Sequence, residues 1–199
     1  MKNVLQDELV PLTPISLSTK SGALHDILIK YKGTLPLLAE YKQEQLAELL
    51  ELFMHYHLKC IAPSGFDLIA VVPSSRSRVG VHPLASTLAR VPGLEDKLAD
   101  VLSAGSRSIS RSSPISNGYE CDRTLVNGRR VLVVEDTVTS GAHLQSAVAA
   151  LQASGARAVY PLVIARHVDS RRTAVKRVLH WADLPENRWR IDRCMHCAT

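Results

Sequence analysis

The sequence predicts an α/β fold: an open, mainly parallel sheet flanked by helices. Three observations carry that expectation. Residues 131–134, Val-Leu-Val-Val, form an apolar, mostly β-branched run that suits a buried strand, and residues 66–72, Phe-Asp-Leu-Ile-Ala-Val-Val, form a second. Helical patterns alternate with these runs, and that alternation builds parallel sheets. The chain is 46% hydrophobic but only 5% aromatic, its apolar content being mostly Leu, Val, Ala and Ile.

In order along the chain, residues 1–22 hold Pro11, Pro14 and a run of Ser and Thr, which reads as an irregular arm with one short edge strand. Residues 27–32, Ile-Leu-Ile-Lys-Tyr-Lys, read as a strand stopped at Gly33, with Lys30 and Lys32 on a solvated edge. Pro36 opens a helix to about Leu58, whose stripe is Leu46, Leu49, Leu50 and Phe53. His55 and His57 near its end read as structural, since residues two apart do not share a helix face. The buried strand at 66–72 ends in Pro73-Ser-Ser-Arg-Ser-Arg78, whose two arginines and three serines suit an anion. A helix with Pro83 in its first turn follows, and a further helix is expected from about Gly93 to Leu102, with Leu94, Leu98 and Val101 inward.

Residues 103–122 show neither a helical stripe nor strand alternation. They carry Gly105, Pro114, Asn117, Gly118, many serines, and Arg107 and Arg111. A loop of that length inside a compact domain is usually functional or disordered. After residue 155, a last core strand is expected at 158–165, where Pro161 argues for an edge position or a bulge. Arg166, His167, Arg171 and Arg172 then cluster. The tail ends in Cys194-Met-His-Cys197. One C-x-x-C supplies two ligands where structural zinc needs four. His180, Cys60, Cys121 or another subunit would have to supply the rest, so free thiols in a terminal cap are the expectation for Cys194 and Cys197. The expected division is an arm and edge strand at 1–35, a core at 36–175 and a cap at 176–199.

With 199 residues the chain suits one domain. No apolar run is long enough to span a membrane, and the first residues carry acids where a secretory signal needs an apolar core, so a cytoplasmic protein is expected. The net charge of +5 fits either nucleic acid or a polyanionic small substrate. A homodimer is left open.

Residues 131–143 organise the rest. The apolar run leads into Glu135 and Asp136, then Thr137-Val-Thr-Ser-Gly141, then a helix with Leu144, Val148 and Leu151 on one face and Gly155 as its stop. Helix N-termini hold phosphate, and Gly141 permits close approach of the backbone. Carboxylates beside a phosphate must face something else, such as sugar hydroxyls or a divalent cation.

This stretch resembles the phosphoribosyl-pyrophosphate (PRPP) motif of the type I phosphoribosyltransferases. The resemblance implies transfer of a 5-phosphoribosyl group from PRPP to a nucleophile, usually a base nitrogen, with release of pyrophosphate. It implies that Glu135 and Asp136 hold the ribose hydroxyls, that residues Thr137, Val138, Thr139, Ser140 and Gly141 hold the 5-phosphate, and that Mg²⁺ bridges pyrophosphate and ribose oxygens. By position, it implies that Ser74, Ser75 and Arg76 bind pyrophosphate, that residues 103–122 form a flexible hood with Arg107 and Arg111 reaching the substrate, and that the loop after the last strand helps hold the acceptor.

Departures from the family's patterns narrow the acceptor. Thr139 stands where the six-oxopurine salvage enzymes usually carry Asp. No Lys occurs between Lys97 and Lys176, whereas the orotate enzymes carry one in the hood. No glutaminase domain is evident. The remaining resemblance is to competence-associated (ComF-like) and unassigned members, without their zinc ribbon. A PRPP-binding regulator without chemistry, or a nucleic-acid-binding protein using the Ser/Arg segment, are the alternatives.

Overall fold

The computed structural model describes residues 9–20, 22–74, 80–110, 113–169, 189–194 and 196–197. It forms an α/β fold on a four-stranded parallel sheet in the order β1-β6-β5-β2, with β1 spanning Thr13–Ser18, β2 Leu68–Val71, β5 Arg130–Val138 and β6 Ala158–His167. A separate antiparallel pair joins β3 (Leu102–Ala104) to β4 (Tyr119–Cys121). The helices are α1 (Ala23–Lys30), α2 (Pro36–Ile61), α3 (Pro83–Leu88), α4 (Arg123–Val126) and α5 (Ala142–Ala153).

Alternation along the strands divides the core into two layers. Leu132, Val134, Ile69, Leu162 and Ile164 pack with α1, α2 and α3, through Leu28, Leu46, Leu50, Phe53, Leu84 and Leu88. Val131, Val133, Leu68, Ala70 and Val163 pack on the other face with Leu144, Ala147, Val148 and Leu151 of α5. Leu46, Leu50 and Phe53 are fully buried, each contributing about 1.5–3 kcal/mol of apolar transfer. At the amino ends of β2 and β5, Arg130 grips Asp67 with Nε (3.1 Å) and Nη2 (2.6 Å), a forked pair that holds the Asp67 carboxyl well below the usual carboxylate range.

The structure corrects several expectations. Residues 27–30 belong to α1, not to a strand. Leu24, Ile27 and Leu28 pack inward at helical spacing, and Asp26 pairs with Lys30 at i, i+4 (2.5 Å). The helix expected over 93–102 is a single 3-10 turn at Glu95–Lys97; Gly93 has φ +76°, and the chain is extended again by Leu98. Within 103–122, where no strand was expected, Ser103 and Ala104 belong to β3 and Tyr119–Cys121 form β4. Gly105 is needed there, because a Cβ would lie 2.4 Å from the Asn117 carbonyl oxygen. Pro161 sits in the central strand β6 rather than at an edge or bulge. The β1 ladder begins opposite Leu162, so at Pro161 the strand has a neighbour on one side only. The strand carrying the acidic pair also runs four residues beyond the apolar run, through Val138.

Candidate functional site

The extension of β5 creates the site. β2 ends at Val71, opposite Val134, and Val72 donates a last backbone bond to Val134 (3.0 Å) before the chain turns away at Pro73. Residues 135–138 of β5 therefore have β6 on one side and, among the described residues, no strand on the other. β2 is followed by α3 on one face of the sheet, and β5 by α5 on the opposite face. Strands whose following helices diverge in this way leave a crevice at their carboxyl ends, the usual ligand position in an open α/β sheet.

The two acids straddle that crevice. Strand alternation turns Asp136 toward the α1–α2 layer and Glu135 toward the α5 layer. Asp136 is buried, and its Oδ2 receives the Tyr31 hydroxyl and pairs with Lys32. Among the described residues, Glu135 Oε2 is buried with no hydrogen-bond partner. Burial, reinforced by Asp136 and opposed by Lys32, pushes the Glu135 carboxyl from 4.5 up to about 8. Both acids line a cavity of about 170 Å³ together with Lys32, Ser74, His82 and His143.

A second cavity of about 1070 Å³ shares Pro73, Ser74, His82 and His143 with the first and extends to Arg107, Ile109 and Tyr119 of the β3–β4 hairpin. Tyr119 bonds His143 Nδ1 at 2.8 Å. Burial, and then the nearby Glu135, raises the Tyr119 phenol above its ordinary value, so it acts as a donor. Burial lowers the His143 imidazole, which keeps it neutral and able to accept at Nδ1.

Below the acids, Thr137 and the exposed Thr139 and Ser140 lead into α5, while Val138 is buried. Gly141 caps the helix at φ +83°, and Ser140 Oγ accepts from the Ala142 N–H at 3.3 Å. The positive φ calls for glycine here, and a Cβ on Gly141 would also lie 2.8 Å from Leu12 Cδ1, whose side chain would have to shift. The turn into the helix N-terminus is thus residues 139–141, shorter than the expected 137–141 because β5 runs on through Val138.

Of the expected site residues, Glu135, Asp136 and Ser74 meet at the small cavity and Arg107 lines the larger one. Residues 137–141 follow the acids on the same strand and turn, without lining either cavity. Ser75, Arg76 and Arg111, with Arg171 and Arg172, lie outside the described residues. Sequence reasoning missed Tyr31, Lys32, His82, Tyr119 and His143. Lys32, expected on a solvated edge, reaches Asp136 because α1 turns the chain back over the sheet.

No protein-family model and no curated protein matches the chain. Solved structures resemble it at low identity. The "allosteric regulatory enzyme of purine biosynthesis" is 18% identical over 62% of this chain (TM-score 0.41). The glutamine PRPP amidotransferase from B. subtilis, complexed with ADP and GMP, is 19% identical over 61% (TM-score 0.42). A phosphoribosyltransferase from Corynebacterium diphtheriae is 18% identical over 71% of this chain and 83% of its own (TM-score 0.39). The chain spans 26% of the length of each of the first two.

Proposed function

We propose that the protein transfers a 5-phosphoribosyl group from PRPP to a nitrogenous base and releases pyrophosphate. The supporting observation is the acidic pair at the open carboxyl end of β5, with Glu135 Oε2 buried and unpartnered beside a cavity, one turn before a glycine-capped helix N-terminus. A sugar phosphate satisfies both halves. Its hydroxyls bond the carboxylates, and its 5-phosphate takes the N–H groups and hydroxyls of residues 137–141.

In this reading Glu135 and Asp136 hold the ribose hydroxyls and fix the ring, and the Asp136 carboxylate favours the positive charge that grows on it as the bond to pyrophosphate breaks. Ser74 binds the leaving pyrophosphate from the end of β2, and Ser75 and Arg76 share that task by their place in the sequence. The loop between β3 and β4 acts as the hood, with Arg107, and Arg111 by sequence, completing the pyrophosphate contacts and excluding water. His143, neutral and lining both cavities, accepts the Tyr119 hydroxyl at Nδ1 and so presents its Nε2–H as a hydrogen-bond donor to the substrate. The hard oxygens of Glu135 and Asp136 fit Mg²⁺, Glu135 giving up its proton to the solvent when the ion binds; among the described residues its Oε2 has no hydrogen-bond partner. When bound, that ion offsets the charge of the pyrophosphate.

The test is pyrophosphate release from PRPP with Mg²⁺ across a panel of bases, together with calorimetry of PRPP binding to Glu135→Ala and Asp136→Ala. Both variants should lose measurable binding while remaining folded, and an unchanged affinity would refute the assignment. One observation favours a second reading, a PRPP-binding regulator. Tyr31 and Lys32 already occupy Asp136 Oδ2, leaving less of that carboxylate for a sugar. PRPP binding without pyrophosphate release for any base would select it.

A further inference from the structure

We propose that His57, Cys60, Cys194 and Cys197 form a structural zinc site that fastens the C-terminal segment to the end of α2. The four ligand atoms lie within 4.8 Å of one another, although His57 and Cys197 are 140 residues apart in sequence. Separately, each half falls short of a site. His57 and Cys60 lie at i, i+3 on one face of α2, and Cys194 and Cys197 lie at either end of a turn closed by the Cys197 N–H on the Cys194 carbonyl (3.2 Å). The fold supplies the complete set of three sulfurs and one imidazole, a common structural zinc set.

The distances suit an ion at the centre. Cys194 Sγ and Cys197 Sγ are 3.4 Å apart, and Cys197 Sγ is 3.5 Å from His57 Nδ1. A tetrahedron with zinc–sulfur bonds of about 2.3 Å has sulfur–sulfur edges of about 3.8 Å, whereas a disulfide would bring the sulfurs to about 2.05 Å. All four cysteines are free thiols.

The imidazole is already oriented for the role. His57 is buried, its ring stands 4.8 Å from that of Phe53, and its Nε2 bonds the Ile191 carbonyl at 2.7 Å. A carbonyl only accepts, so the ring proton is on Nε2 and the Nδ1 lone pair faces the sulfurs. A histidine whose second nitrogen is committed to a backbone carbonyl is the usual arrangement around a bound metal. His196, between the two cysteines, is turned away and bonds Thr13 Oγ1 at 2.8 Å.

Four protein ligands leave no open position, which makes the site structural rather than catalytic. Its place agrees. α2 leads into the amino end of β2, so the cluster lies at the opposite end of the strands from the acidic pair. The proposal is independent of the PRPP reading.

The experiment uses the full chain, purified with zinc in the medium and dialysed against metal-free buffer. Elemental analysis should find about one zinc per chain, and titration with a mercurial should release it to a colorimetric chelator. Cys60→Ser and Cys197→Ser should lose most of the metal, while Cys121→Ser, outside the cluster, should retain it. Should the cluster variants fail to fold, cobalt substitution of the unmutated protein decides the matter. Intense visible bands of tetrahedral thiolate coordination support the site, and a weak octahedral spectrum overturns it. Folded wild-type protein without zinc, or a Cys194–Cys197 disulfide found by mass spectrometry, would also overturn it.

Discussion

Replacing Glu135 with glutamine should make the protein more resistant to alkaline pH. Burial and Asp136 hold the native Glu135 carboxyl at about 8, against an ordinary value of 4.5. Between those two values the unfolded chain has released this proton and the native state has kept it, so stability falls as pH rises through the interval. Below 4.5 both states are protonated and nothing is lost; above about 8 the loss is complete. At about 1.4 kcal/mol per tenfold change in proton affinity, the interval amounts to roughly 5 kcal/mol. Water drawn to the ionised carboxylate, and movement of Lys32 toward it, would recover part of this and leave about 2–3 kcal/mol. Glutamine is isosteric with the protonated acid and does not titrate. Urea unfolding of both proteins, followed by circular dichroism from about pH 4 to pH 9, gives the difference in stability at each pH, and the contributions of groups not coupled to Glu135 cancel. That difference should move in favour of Glu135→Gln by about 2–3 kcal/mol between the two values and then level off. A difference independent of pH, or one moving the other way, would refute the account of how this carboxyl is held.

Three further outcomes are expected. Lys32→Met leaves Asp136 with Tyr31 as its described partner and should cost about 1–3 kcal/mol in the same urea assay; no loss would mean that the pair is not formed in solution. Gly141→Val forces a β-branched residue into φ +83° against Leu12 and should destabilise the fold by more than about 1–2 kcal/mol, as well as abolish PRPP binding by calorimetry. Wild-type stability in that variant would contradict the geometry of the turn. Amide exchange at residues 105–110 and 113–118 should slow when PRPP and Mg²⁺ are added, and Arg107→Ala should reduce turnover at least tenfold (about 1.4 kcal/mol) with little change in stability. Exchange that is equally slow without ligand would remove the hood reading.

The parts legible in the sequence were those whose cause is local. The run at 131–134, the acids after it, Gly141 and the stripe of α5 lie within about six turns of chain, and each is read from its own neighbours. α2 was legible from Pro36 and its leucine spacing for the same reason. The segment 27–30 misled because Ile-Leu-Ile has a strand composition, while the deciding features, the Asp26–Lys30 pair and the inward spacing of Leu24, Ile27 and Leu28, depend on packing against α2. Tyr31 and Lys32 could not be assigned to the site from sequence, since their partner Asp136 lies 105 positions beyond Tyr31. The sequence offers Cys60 as a candidate zinc ligand, while the spacing of His55 and His57 points to structural roles. Only the tertiary fold shows that the end of α2 meets the tail.

The pairing of β1 with β6 has a kinetic consequence. Thr13 aligns with Leu162, so the strand that leaves the ribosome early must wait roughly 150 residues for the partner it will lie beside. β5, α5 and β6 are consecutive and can condense as a local unit, with β2 adding to its free side. The last seat to be filled is that of β1, whose Ile15 carbonyl is also taken up by the Trp189 indole N–H (2.7 Å) from nearer the C-terminus. Until then, the exposed flank of β6 is an unpaired parallel edge, and a second chain's β1 fits it as well as the chain's own. Nascent chains at high concentration are therefore expected to exchange this strand, and slowing translation before residue 158 should lower the yield of monomer more than the same pause placed after residue 167.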